Sequence, residues 1–206
     1  MEPTCQTILR SWRGDGQTAD LGARRAARGS FSALCREDQT NMTKADEIIR
    51  ALIVDPDVVL QFFAVFSRFE YSLKRSGFLK HGDRAEANWG MYANSLRGHF
   101  GRVQDEQFQG AVTFLLREPP KTQIVSGVDL GWRDTAIGDG EYHERYVLRL
   151  VGTVRNNLFH GGKYPIPVGP MDDVARNKRL LEASLTVLKQ CLELSDTVRA
   201  TFEEAA

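Results

Sequence analysis

The sequence predicts an all-α fold: an up-and-down bundle of long helices joined by short loops. Three observations point there. Apolar residues recur at three- and four-residue spacing along several stretches, the period of a helix with one buried face. Glycines and prolines close those stretches, as they do at helix ends. A single short run, Ile124-Val125, hints at a strand, and no internal repeat is present.

Residues 1–41 read differently from the rest. Gly, Ala, Arg, Ser, Thr and Asp dominate, and Leu21 to Ser30 carries no aromatic residue. Such a segment buries too little apolar area to offset its ordering entropy. It is expected to be a disordered leader, or translation begun upstream of a native start at Met42, and to be dispensable for folding. A basic RNA-binding arm or an organelle-targeting peptide is the alternative; Asp15, Asp20, Glu37 and Asp38 argue against both. The folded domain is expected over residues 42–206.

Thr43 to Val54 predicts a short helix, with Thr43 as N-cap and Asp46 and Glu47 in the first turn. Asp55-Pro56-Asp57 breaks it, and Asp57 can cap a second helix running to about Arg75. Val59, Phe62, Phe63, Phe66, Phe69 and Leu73 mark that helix as buried, and Gly77 ends it. Ala85 to Phe100 carries Trp89, Tyr92, Ala93, Leu96 and Phe100 at the same spacing. Asp105 to Arg117 is another helix, closed by Pro119-Pro120. Lys121 to Gly140 reads as a loop with room for one short strand. Glu141 to His160 is a helix, and Lys163 to Pro170 is a Pro/Gly-rich connection. Asp172 or Asp173 caps the last helix, striped by Leu181, Leu185, Leu188 and Leu192.

The chemistry concentrates at the end of the Glu141–His160 helix, in Val154-Arg155-Asn156-Asn157-Leu158-Phe159-His160-Gly161-Gly162-Lys163-Tyr164. Gly161-Gly162 stops the helix, which leaves Arg155 and His160 in its last turns. Asn156 and His160, four apart, share a face. Arg155 and His160, five apart, lie about 140° apart around the axis. One straight helix cannot aim both at a small target. A fraying last turn could, and so could two copies of the helix meeting across a two-fold axis.

This segment resembles the Arg-x4-6-His signature of the HEPN superfamily, in which the residue after the arginine is commonly polar, as Asn156 is here. Phe66 to Phe78 is similar to the early helix of such proteins, and the resemblance spans roughly residues 42–202. It implies a small HEPN-like helical bundle, a homodimer, and metal-independent cleavage of single-stranded RNA by a toxin or phage-defence effector. An antitoxin or defence-system protein would be a partner. Some HEPN toxins carry a tyrosine two residues after the histidine, which a partner nucleotidyltransferase modifies. Gly162 holds that position here.

The residues suit the chemistry. In RNA the 2′-OH attacks the adjacent phosphorus, which needs a base, an acid for the leaving 5′-oxygen and positive charge on the phosphate. Histidine, with an unperturbed pKa near 6.5, suits the proton transfers. Arginine offers phosphate a planar fork that stays charged. Arg155, His160 and Asn156 are therefore the candidate catalytic residues, with Asn156 orienting the imidazole or bonding RNA. Taken singly, His160 is better explained by satisfying the last carbonyls, and Arg155 by a surface or core-rim ion pair.

Lys163, Arg149 and Tyr164 are candidate substrate contacts. Lys163 could hold a second phosphate or be simply solvated. Arg145, Arg149 and Gly152 follow at helical spacing and could extend a phosphate track, though such a row is more often a solvated face. Glu70 is the candidate supporting acid. It can pair with Arg155 or His160, while Lys74 at i+4 is the nearer partner.

Composition sets bounds. Lys plus Arg and Asp plus Glu are 27 each, so no global charge favours nucleic acid and any RNA surface is a local patch. Cys5, Cys35 and Cys191 form no ligand pattern and suit a reducing compartment, with the cytoplasm as default. His81, His99 and His143 are dispersed, so no metal site or cofactor is expected. No Walker loop, Gly-x-Ser-x-Gly or His-Glu-x-x-His is present, and no apolar run is long enough for a bilayer. The near-zero charge favours a second reading, a non-catalytic helical dimer that binds RNA or a partner protein.

Overall fold

Helix α1 begins where a proline allows it to. Pro56 occupies the first turn, where its missing N–H is not needed. The Asp55 side chain accepts from the Asp57 N–H at 3.0 Å. The cap is thus Asp55 rather than Asp57, and α1 runs Pro56–Arg75 in a computed structural model that describes residues 54–160 and 174–204, with Thr43, Lys44 and Glu47. The chain divides into two units, Met1–Arg50 with Ala206, and Ala51–Ala205. In the first, Glu47 N–H bonds the Thr43 carbonyl at 3.2 Å, a helical bond, and Lys44 pairs with Glu47 at 2.8 Å. The expectations for residues 1–41, the Gly161-Gly162 stop, the 163–170 connection and the Asp172 or Asp173 cap lie outside the described residues.

The second unit is mostly helical. After α1 come α2 (Trp89–Ser95), a 3-10 turn (Phe100–Arg102), α3 (Glu106–Arg117), strands β1 (Thr122–Ser126) and β2 (Asp129–Arg133), then α4 (His143–Phe159), α5 (Val174–Glu193) and α6 (Asp196–Glu203). Helix α5 packs against α1 and α3, α4 packs on α2, and α6 returns against α1. Phe62, Phe69, Leu73, Tyr92, Leu115, Leu150, Leu181 and Leu188 are buried together between them. Each such side chain contributes about 1.5–3 kcal/mol of transfer free energy.

The chain is mostly helical, as expected, and four finer expectations are corrected. The 121–140 loop with room for one short strand instead holds an antiparallel hairpin over residues 122–133, with Ile124 opposite Gly131. Short loops do not hold between α3 and α4, where the hairpin and the segment to Tyr142 intervene. The helix expected over Ala85 to Phe100 shrinks to seven residues. Asn88 caps it through the Met91 N–H at 2.9 Å, and Gly98, at φ +78°, turns the chain before Phe100. The chain also breaks at Ser195 and adds α6, which the leucine stripe did not foretell.

Candidate functional site

Helix α4 ends as the sequence foretold. Phe159 is its last residue, and the His160 N–H closes onto the Asn156 carbonyl at 2.9 Å. Val147, Leu150, Val151 and Val154 are fully buried and fix the helix's rotation. That rotation leaves Asn156, Phe159 and His160 exposed and Arg155 on the flank.

Arg155 is turned onto α1. Its guanidinium carbon lies 5.5 Å from the Phe66 ring centroid and 5.6 Å from that of Phe159, within cation–π range. One nitrogen donates to Asn156 Oδ1 at 2.9 Å, and the other faces Glu70 at 3.9 Å. Glu70 in turn accepts from Trp89 Nε1 at 3.1 Å, and Trp89 stacks on Phe66 and Phe69. Glu70 therefore pairs with Arg155 rather than with Lys74. Both side chains are about one-third exposed (36% and 31%), so solvent screens the pair and it adds little stability. Its consequence is orientation: two rings and two oxygens fix where the guanidinium sits.

His160 is exposed, and among the described residues its ring makes no hydrogen bond or ion pair. Asn156 shares its face but spends its side-chain oxygen on Arg155. Arg155, Asn156 and Glu70 are thus brought together, and His160 follows Asn156 by one turn. Lys163 and Tyr164 lie outside the described residues.

Arg149 has a different occupation. Nε and a terminal nitrogen hold Glu141 at 2.9 and 2.6 Å, and the same nitrogen donates to the Ala136 carbonyl at 2.7 Å. The hydrogen bond from Arg149 holds the Glu141 carboxyl below the usual carboxylate range, and Glu141 raises the Arg149 pKa in return. This pair clamps the 136–141 loop onto α4. Glu144, buried in the first turn of α4, accepts from the Gly98 N–H at 2.8 Å and moors the preceding turn.

Sequence reasoning gave no site role to Phe63, Trp89, Asn157 and Phe159. Asn157 is buried and donates to the Lys121 carbonyl at 2.7 Å, tying the motif helix to the hairpin's start. Phe63 was expected in the core and is 47% exposed, with its ring 5.6 Å from that of Phe159, itself 49% exposed. Phe62 and Phe63 are consecutive, about 100° apart on a helix, and here Phe62 takes the buried position.

Cys191 is fully buried, and burial pushes its thiol up, out of reactive range. Among the described residues no three His, Cys, Asp or Glu side chains gather as a metal site, and no helix is long and apolar enough to cross a membrane. Compared with known proteins, the chain matches no family model, no curated protein and no solved structure.

Proposed function

We propose that this chain is a metal-independent endoribonuclease of the HEPN type, a homodimer with a composite site, working as a toxin or phage-defence effector on single-stranded RNA. The observation that carries the reading is the end of α4. An arginine is fixed there by rings and oxygens, and five residues later stands an exposed histidine whose ring bonds to none of the described residues. Evolving a structural ion pair does not need that arrangement. Gripping a phosphate beside a proton carrier does.

In the proposed reaction Arg155 forks onto the scissile phosphate. One His160 takes the proton of the 2′-OH, whose oxygen bonds to phosphorus. The bond from phosphorus to the 5′-oxygen breaks, and the second His160 supplies that oxygen's proton. The products are a 2′,3′-cyclic phosphate and a 5′-hydroxyl. Arg155 leans toward α1 while Asn156 and His160 occupy the neighbouring face, which supports drawing one cation and one imidazole from different protomers.

A non-catalytic dimer that binds RNA or a protein remains the second reading, and one contact favours it: Glu70 already partly neutralises Arg155. Induction in cells separates the two. The nuclease reading expects growth arrest and fragmented total RNA with wild type, and neither with His160→Ala. Intact RNA with both proteins would favour the binding module.

A further inference from the structure

The Phe63 and Phe159 rings stand half out of the protein. They come from different helices, α1 and α4, yet meet at 5.6 Å with planes tilted by 45°. Phe159 also flanks the Arg155 guanidinium, as Phe66 does. Leu60, one turn before Phe63, extends the apolar ground at 65% exposure. An exposed aromatic pair touching a fixed cation matches one ligand chemistry well. A nucleotide offers a planar π face beside a phosphate, and each base has such a face whatever its sequence.

We infer that Phe63 and Phe159 form a stacking platform for an unpaired base of single-stranded RNA, placed next to the phosphate held by Arg155. The inference deepens the nuclease reading and rests on it for the identity of the strand. A double helix keeps its bases stacked on each other, so the platform selects single strands. Because every base stacks, it positions the strand without reading its sequence.

The test uses a single-stranded 2′-O-methyl RNA decamer carrying one 2-aminopurine, which binds but lacks the 2′-OH nucleophile. Fluorescence quenching on titration with the full chain reports stacking directly. Base–aromatic stacking corresponds to a loss of roughly 5- to 100-fold in affinity for Phe63→Ala or Phe159→Ala. Phe63→Leu keeps the apolar bulk and loses the ring, so it should weaken binding as Phe63→Ala does. Phe63→Trp, with a larger face, should tighten it. Circular dichroism on each variant checks the fold, which half-exposed positions should leave intact. In cleavage assays the Phe63 variants should raise KM, and Phe159→Ala, which also removes a ring from beside Arg155, should lower kcat as well.

Absence of quenching with wild type, or equal affinity for Phe63→Leu, would overturn the platform. So would light scattering in which Phe63→Ala turns a dimer into a monomer, because the rings would then be an interface between copies. Quenching that depends on the rings, without any RNA cleavage, would leave the platform standing and refute the nuclease. Cleavage whose KM ignores both rings would do the reverse.

Discussion

Two arginines on one helix, Arg149 and Arg155, show how the same side chain serves two ends. Arg149 grips a carboxylate at 2.6 Å and a backbone carbonyl at 2.7 Å, and is spent on holding a loop. Arg155 meets its carboxylate at 3.9 Å, gives one donor to Asn156 at 2.9 Å and lies over the rings of Phe66 and Phe159. Rings restrain a guanidinium without using up its donors. The N-terminal half of α4 is therefore built for stability and its last turn for availability. Both arginines look alike in sequence, and only the neighbours supplied by other elements tell them apart.

That contrast can be broken by substitution. Arg149→Ala should cost most, about 2 kcal/mol, because it strips the cation from a nearly buried Glu141 carboxylate. The melting temperature should fall by about 4–8 °C. Arg155→Ala should change stability by less than about 1 kcal/mol, as an exposed pair does. Equal melting shifts for the two variants would erase the distinction.

Next in size is Asn157→Ala, at about 1 kcal/mol for one lost hydrogen bond from a buried amide. Hydrogen exchange should quicken in Thr122–Ser126, the strand that follows Lys121, more than in α5. Unchanged exchange there would mean that Asn157 does not moor the hairpin.

The smallest effect is in acid. Glu141 titrates lower in the folded chain than in the unfolded one, so its contribution is present above the ordinary glutamate value of about 4.3. It is lost as pH falls through the lower folded value. Melting temperature measured from pH 6 to pH 3 should therefore drop more for wild type than for Arg149→Ala. Parallel curves would show that the clamp carries no pH dependence.

How far the sequence revealed this molecule follows from which forces act locally. Helices α1, α3, α4 and α5 were legible because apolar spacing, caps and breakers are local signals. Helix α2 was overextended, since Gly98 turns a chain whose apolar spacing continues to Phe100. The hairpin was seen only as a hint because Gly131 sits opposite Ile124 and the apolar alternation is thin. At the site, the Arg155–His160 spacing and the angular problem were readable from helix geometry. The partners were not. Glu70 could have chosen Lys74 by sequence distance, and tertiary packing chose Arg155 through Trp89 and Phe66.

Cleavage of RNA by the purified chain in EDTA tests the central claim most directly. Wild type should cut single-stranded RNA and leave 2′,3′-cyclic phosphate ends, while DNA, which lacks the 2′-OH, stays whole. His160→Ala should slow the reaction by ~100-fold or more, the usual worth of general acid–base catalysis. Arg155→Lys keeps the charge but loses the fork, and should also be impaired, with Arg155→Ala worse. All three variants should melt close to wild type, since neither side chain belongs to the buried stripe of α4. Cleavage that demands Mg²⁺, cuts DNA equally, or survives His160→Ala at full rate would contradict the account.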